Sequence, residues 1–455
     1  KNSPLERESV EIKDASTVPL TPSQQLMCYP MRSNKNVYCQ HALLQATDHD
    51  KLPEAIQKAA QALIEKYDAL HSTVLKNTQR RLELSFSHPI KSRLIYRETH
   101  LPHNNDIDRK ETLEKHAQSI FNSLDLEEGK LIALNYIKIG TEIRILFAVH
   151  SLVADSISFK ILLEEFKKNT IRLLLQKKTN TTKSNFSFKK WGLYLQQHKQ
   201  SIVNEEELDY WKKVEEKKII PLLSRQKSST VLGFKRDFNP KYTTMLLNKI
   251  QKNSLETRSA LMTAFAYTLR NEFGDETVEI ESHGRYDTIF SDQLADAIGQ
   301  FSTYFPFNVE LTKGVNFWKN AKTLEKKIQQ IPFRGAHYQL LKLSSFLTLQ
   351  NTRPRVAFNY LGKWDSSGDK TMEECSLFIS SAPERIKNTQ YDQYENLVGL
   401  SVNILNINDA FSFAFKYDPS VFSEPLILKF SDELFSALEK TAEGNPLLIQ
   451  EKKIA

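Results

Sequence analysis

The sequence predicts a mixed α/β (α+β) protein built as two lobes, and three observations carry that prediction. Segments with period-two apolar patterning and segments with helical patterning intermix in both halves of the chain. A chain of 455 residues is long for one core and divides into two lobes of about 200 residues each. The most organised stretch, residues 143–166, changes from strand to helix in its middle: Ile143, Ile145, Phe147 and Val149 give one apolar face at period two, and Ile157, Ile161, Leu162 and Phe166 repeat at helical spacing. The change falls between His150 and Ser156, so a polar cluster sits at a strand-to-helix turn. Asp155, Ser156 and Ser158 are each suited to cap the helix, because a short side-chain oxygen accepts a backbone N–H that has no intrahelical partner.

The other elements follow in order. Residues 1–16 are polar and mixed in charge and read as a linker or fragment end. Thr21 caps a short helix with Pro22 at its first position, and residues 37–44 read as a strand. Leu52, Ile56, Ala59, Ala60, Leu63 and Tyr67 mark an amphipathic helix over 52–70. Strands at 82–86 and 94–96, a helix at 111–122 and a turn at 123–129 precede the strand 131–138, which pairs with 142–149 through Gly140. The helix after the polar turn ends near Leu175, and 176–186 is linker-like. Polar helices at 188–200 and 205–216 lead to an exposed loop at 224–230.

The second half opens on a helix over 253–273, with a capping-box-like Asn253-x-x-Glu256 and Gly274 at its end. A strand at 277–281, a short helix at 292–298, a strand at 306–311 and a helix at 317–331 stopped by Pro332 follow. Strands at 356–361, 398–407 and 410–417, the last two a hairpin at Asn408-Asp409, precede a closing helix at 425–442. The resulting division is an N-terminal lobe over 17–180, connecting helices and loops over 181–232, and a C-terminal lobe over 233–455.

Composition narrows the function classes. Hydrophobic content of 40% and charged content of 26% fit a soluble globular protein. The formal charge of +7 comes from lysines scattered among glutamates and no nucleic-acid motif accompanies it, so nucleic acid is not an expected partner. Cys28, Cys39 and Cys375 form no Cys-x-x-Cys pair and no metal-ligand spacing with the histidines, so neither a disulfide framework nor a metal site is expected, and a reducing cytoplasm is the default. No apolar run has transmembrane length and nothing resembles a signal peptide, so no membrane role is expected and the Asn-x-Ser/Thr triplets at Asn180 and Asn185 read as accidental.

Three segments place polar residues beside strands: His150-Ser-Leu-Val-Ala-Asp-Ser156, Glu281-Ser-His-Gly-Arg285 and Phe358-Asn-Tyr-Leu-Gly-Lys-Trp364. Each alone has a plain structural reading, as a hydrogen-bonded strand-end histidine, an exposed strand-end carboxylate, and tight turns at Gly284 and Gly362. Together with Leu20-Thr-Pro-x-x-Gln25, Ser123-Leu-Asp-Leu126, Tyr210-Trp211, Gly299-Gln-Phe-Ser-Thr-Tyr-Phe-Pro306 and Tyr338-x-Leu-Leu341, they resemble the condensation superfamily of nonribosomal peptide synthetases, in the right order from about Leu20 to Thr441. The Glu-x-His-Gly-Arg and Phe-Asn-Tyr-Leu-Gly segments are similar to the epimerization branch.

The resemblance implies two chloramphenicol-acetyltransferase-like lobes forming a V-shaped pseudo-dimer with a central channel. It also implies a carrier protein that inserts its phosphopantetheine arm there, so that an aminoacyl or peptidyl thioester is inverted at its α-carbon. On the same resemblance the domain itself is expected to bind no cofactor or metal, to work beside neighbouring synthetase modules and to be monomeric when isolated. Inversion removes a proton from one face and delivers one to the other, which two positioned acid/base groups accomplish. In the family these are the second His of His-His-x-x-x-Asp-Gly and the Glu of Glu-Gly-His-Gly-Arg. Matched residue by residue, Glu281 takes the carboxylate position, His150 the first histidine and Ser151 the second. Asp155 becomes a structural carboxylate with Arg285 as a candidate ion-pair partner, and His283 and Asn359 belong to the structural surround. Ser156 and Ser282 replace glycines, and Tyr286 replaces the usual acid after Arg285.

Ser151 is the departure with chemical weight, because an unactivated hydroxyl is a poor base near neutral pH and loss of one acid/base group costs about 100- to 10,000-fold in rate. The reading is therefore an epimerization-like domain that docks a carrier protein with epimerization lost or strongly impaired. Docking, spacing between modules or recruitment of a tailoring enzyme would be its surviving role. The alternative is an active epimerase using Glu281 with Tyr360, His150 or a water; a condensation-type acyltransferase and a Ser151 nucleophile activated by His150 or His283 complete the set.

Overall fold

The computed structural model describes residues 15–28, 38–79, 81–86, 93–102, 106–179, 186–198, 205–216, 231–274, 277–283, 291–294, 296–343, 356–364, 379–384, 386, 398–407, 410–445 and 447. The chain divides into two compact units, neither continuous in sequence: residues 1–202, 284–302 and 367–391 form the first, and residues 203–283, 303–366 and 392–455 the second.

The first unit contains β1 (Thr17–Pro19), α1 (Pro22–Cys28), β2 (Cys39–Ala46), α2 (Leu52–Lys66), β3 (Ser72–Lys76), β4 (Leu82–Phe86), β5 (Ile95–Leu101), α3 (Asp106–Phe121), β6 (Ile132–Ile139), β7 (Glu142–His150), α4 (Ser156–Leu174) and α5 (Phe188–His198). The later parts of the chain add α9 (Ser291–Leu294) and β12 (Ile379–Ser381). Five strands form one sheet in the order β12-β2-β7-β6-β5, and β1, β4 and β3 form a small antiparallel sheet beside it. The expected pairing of β6 with β7 is present and antiparallel, from Ile132 opposite Val149 to Ile139 opposite Glu142.

Strand β7 departs from the one-sided pattern expected of it. Every residue from Ile143 to His150 is buried, because Leu146 and Ala148 pack under α3 while Phe147, on the other face, meets Phe159 and Phe166 of α4. A strand covered on both faces by helices loses its polar side. Its one charged residue there, Arg144, is 4% exposed and hydrogen-bonds Glu384 and Glu142. Helix α2 is shorter than expected: it ends at Lys66, Tyr67 is extended, and a 3₁₀ turn occupies Asp68–His71. Helix α5 is not polar, since Phe188, Trp191, Leu193, Tyr194 and Leu195 are buried and Gly192 lies directly against Val18.

The second unit contains α6 (Glu205–Glu215), β8 (Leu232–Asp237), α7 (Pro240–Lys252), α8 (Thr257–Phe273), β9 (Thr277–His283), β10 (Ser302–Asn308), α10 (Phe317–Gln329), α11 (Tyr338–Leu343), β11 (Val356–Trp364), β13 (Leu400–Ile407), β14 (Ala410–Tyr417) and α12 (Glu424–Glu443), with β10 beginning at the junction of the two units. Its six-stranded sheet runs β10-β9-β11-β13-β14-β8. β9, β11 and β13 are parallel, and β13, β14 and β8 antiparallel. Phe265, Phe358, Phe413, Phe430 and Leu434 lie in the core between sheet and helices.

Asn253 does not open a capping box. It closes α7, its side-chain amide donating to the Lys249 carbonyl, and α8 begins after Glu256. Helix α7, absent from the sequence expectations, starts at the Asn239 cap with Pro240 at its first position and buries Leu246 and Ile250. The expected helix over 292–298 is a single turn, and the strand expected at 306–311 begins earlier and ends at Asn308. The hairpin residues Asn408 and Asp409 and the loop 224–230 lie outside the described residues.

Candidate functional site

The polar turn is built where β7 ends. His150 is the last strand residue, opposite Cys39 of β2, and Ser151 leaves the ladder by donating its N–H to the Tyr38 carbonyl at 2.8 Å. The His150 ring is fully buried, and its Nδ1 accepts the Leu152 N–H at 3.1 Å. That bond places an imidazole proton on Nε2 and uses Nδ1 to shape the turn.

Three glutamines hold the backbone that follows. Gln300 Nε2 donates to the Ser151 carbonyl at 3.0 Å, Gln24 Nε2 to the Leu152 carbonyl at 2.8 Å, and Gln40 Nε2 to the Ala154 carbonyl at 3.3 Å. A buried turn exposes carbonyls that no ladder pairs, and side-chain amides satisfy them here. Gln24 is itself fixed by the start of α1, where Thr21 N–H donates to its Oε1 and its own N–H donates to Thr21 Oγ1.

Asp155 is the N-cap of α4 and is 1% exposed. One carboxylate oxygen accepts the Ser158 N–H at 2.7 Å and the other the Phe301 N–H at 3.1 Å, while its own N–H donates to the Gly299 carbonyl at 3.0 Å. Ser158 Oγ donates to the Gly299 carbonyl at 2.8 Å and sits 3.0 Å from the Gly299 N–H. Both carboxylate oxygens thus accept a backbone N–H at the N-terminus of α4. Of the three cap candidates Asp155 caps, Ser156 begins the helix and Ser158 ties the helix to 299–301.

Ser151 is 2% exposed, and its hydroxyl oxygen has no hydrogen-bond partner among the described residues. A hydroxyl needs a base within hydrogen-bond reach to act as a nucleophile, and the one nitrogen of His150 that could accept its proton is taken by Leu152.

In the second unit β9 and β11 run side by side, with Glu279 opposite Ala357 and Ile280 opposite Phe358. Glu281 and His283 belong to β9; their side chains, and Arg285, lie outside the described residues. Asn359 and Tyr360 belong to β11, where the register slips after Tyr360 and Gly362 adopts φ +83°, a left-handed bulge that suits glycine. Burial raises the Tyr360 hydroxyl above its ordinary value, against hydrogen bonds with Thr257 and Asn406 that lower it. It is therefore protonated at neutral pH and engaged within the fold. Each unit thus gathers its own residues: His150, Ser151 and Asp155 in one, Glu281, His283, Asn359 and Tyr360 in the other. Gln24, Gln40, Gln300 and Gly299 had no assigned part in the sequence reading. A buried glutamine follows no short-range pattern, although two of these lie in segments quoted for the resemblance.

A mixed α/β chain of two such units, with this polar turn after a central strand, defines the class: the chain belongs to the condensation-domain family, whose model it matches over residues 14–454. It is 25% identical over 444 residues to surfactin synthase subunit 1 of Bacillus subtilis (strain 168), a match covering 93% of this chain and 12% of that protein. It is 24% identical over 349 residues to gramicidin S synthase 1 of Brevibacillus brevis, covering 72% of this chain and 31% of that protein. The chain therefore corresponds to a minor part of these relatives. Its fold matches the epimerization domain from the third module of tyrocidine synthetase B with a TM-score of 0.81 at 21% identity, covering 96% of this chain and 99% of that one. It matches the X-domain from teicoplanin biosynthesis with a TM-score of 0.72 at 14% identity, covering 97% and 99%; an X-domain from the same biosynthesis is also known in complex with OxyB. No described helix is long and apolar enough to cross a membrane, and no described group of His, Cys, Asp and Glu forms a metal site.

Proposed function

We infer that this chain is an epimerization-like domain of a nonribosomal peptide synthetase in which inversion at the α-carbon is lost or strongly impaired. The observation that carries this is Ser151: where the family's pattern has its second histidine, the chain has a buried hydroxyl with no partner among the described residues. A thioester acidifies its α-proton, but inversion still needs one group to take that proton and another to return one to the opposite face. Glu281 supplies the first group, and a seryl hydroxyl near neutral pH does not replace an imidazole. One substitute is engaged elsewhere, since His150 Nδ1 accepts the Leu152 N–H.

In this reading the domain has two lobes with a channel between them and keeps its carrier-protein partner. The arm that brings the thioester is the carrier's phosphopantetheine, and the domain contributes no cofactor of its own. Its remaining work is docking, spacing between neighbouring modules or recruitment of a tailoring enzyme; the fold shared with an X-domain, a type known in complex with OxyB, supports the last. The test presents the chain with an aminoacyl- or peptidyl-carrier protein in deuterated water and follows α-deuterium incorporation and the D/L ratio. Exchange at the rate of the protein-free control is expected. Exchange well above it would instead establish an active epimerase built on Glu281, and peptide-bond formation with an acceptor carrier would indicate a condensation-type acyltransferase.

A further inference from the structure

Within the second unit a buried acid–imidazole pair lies outside every role discussed so far. Glu207 of α6 is 1% exposed and His337 is 2% exposed, with His337 Nδ1 3.2 Å from Glu207 Oε2. Glu207 Oε1 also accepts the Trp211 indole N–H at 3.3 Å. The pair stands at the foot of a strained turn. Phe333 and Arg334 both adopt left-handed backbone, at φ 44°, ψ 30° and φ 50°, ψ 30°, a conformation that side chains other than glycine rarely adopt. Two such residues in succession persist only where their surroundings over-determine them.

The Phe333 ring packs on the His337 imidazole with centroids 4.4 Å apart. Gly335, at φ +83°, lies so close to Phe305 that an added Cβ would sit 2.0 Å from its ring. The Ala336 N–H closes the turn on the Phe333 carbonyl at 3.0 Å. Trp211 packs on both Phe305 and Tyr338, so α6 presents one continuous surface to the turn. The turn Pro332–Gly335 packs against β9, the strand that carries Glu281.

We propose that Glu207 and His337 are positioning residues: the pair holds the Phe333–Arg334 turn in its left-handed form, and through that turn sets β9. The inference rests on the reading that Glu281 is the acid/base group only for its functional meaning; the mechanical link from α6 to β9 is measured without any turnover. Its failure and the failure of that reading are therefore separate results.

Hydrogen exchange on the whole chain tests it. His337→Leu is expected to speed exchange of the β9 amides by about 10- to 100-fold, the cost of leaving a buried polar partner unsatisfied, while β13 and β14 of the same sheet stay as in the parent. His337→Asn, whose amide nitrogen can occupy the place of Nδ1, restores most of the protection. Glu207→Gln keeps the side-chain shape and gives the same localised pattern at smaller amplitude, and it carries the test if the leucine variant is not recovered folded. Unchanged β9 exchange, an equal loss of protection across β9, β13 and β14, or an asparagine variant no better than leucine would each overturn the proposal.

Discussion

Asp155 and Phe301, 146 residues apart in the chain, are joined by a 3.1 Å hydrogen bond from the Phe301 amide to the Asp155 carboxylate, whose other oxygen caps α4 by accepting the Ser158 N–H at 2.7 Å. One side chain thus satisfies two buried backbone donors in two segments. Asp155→Ala is expected to destabilise the first unit by about 2–4 kcal/mol, combining a lost cap with an unsatisfied buried N–H. Asp155→Asn, a good cap that offers only one acceptor oxygen, loses less. Urea unfolding curves rank the two; equal losses would show that the cap is not the part that matters.

If Ser151 stands where the family's pattern has its second histidine, as proposed, restoring an imidazole there is the direct chemical test. Ser151→His, with Ser156→Gly to return local backbone freedom, is expected to raise α-proton exchange on a carrier-bound thioester, by up to about 100- to 10,000-fold if the base is the only loss. No gain in a folded variant would mean that damage extends beyond residue 151.

Gly299 makes room for a ring. A Cβ there would lie 2.1 Å from Phe188 and 2.8 Å from Phe301, both buried, while its N–H and carbonyl are bonded to Ser158. Gly299→Ala should cost about 1–3 kcal/mol by overpacking. Thermal unfolding checks this, and an unchanged midpoint would mean that Phe188 yields freely.

The contact between β7 and the segment carrying β12 is sensitive to acid. The hydrogen bond from Arg109, with Arg144 beside it, lowers the Glu142 carboxyl from 4.5 to about 2. Burial pushes Glu384 up, but its bonds to Arg144 and the charge of Arg109 outweigh that and leave it lowered. Depressed carboxyls contribute stability that is complete above their ordinary value near 4.5 and is lost as the pH falls through the folded values. The protection factors of residues 379–384, taken against the intrinsic exchange rate at each pH, should therefore fall as the pH drops from about 4.5 to 2, and Glu384→Gln should show that looseness already at pH 7. A strap equally protected at both ends of that range would contradict the assignment.

Tyr360→Phe separates a structural tyrosine from an acid/base one. Its hydroxyl is hydrogen-bonded with Thr257 and Asn406, so the change should cost about 1–2 kcal/mol of stability. In the Ser151→His, Ser156→Gly background it should leave α-proton exchange unaltered. A large fall in exchange at unchanged stability would instead place Tyr360 in the chemistry.

Features set by near neighbours in the chain are legible in the sequence. The cap at Asp155, the hairpin pairing of β6 with β7, the glycine stop at Gly274 and the boundaries of α4 follow from residues within a few positions of one another. Where the sequence reading erred, a distant partner had intervened. Helix α3 covers the face of β7 that alternation left open, Val18 and its neighbours bury α5, and the preceding helix α7 claims Asn253.

The sequence by itself determined the class and the order of elements, and it carries the proposed reading of Ser151, because motifs and periodicities are short-range and survive being read as a string. Only the tertiary structure decided how that serine is kept. Its carbonyl is held by Gln300, the next two bonded carbonyls by Gln24 and Gln40, and the helix that follows by the bond from Phe301 to Asp155. These partners come from three separate stretches of chain, and a buried polar turn is satisfied by whichever donors the packing brings within 3.5 Å, at any sequence distance.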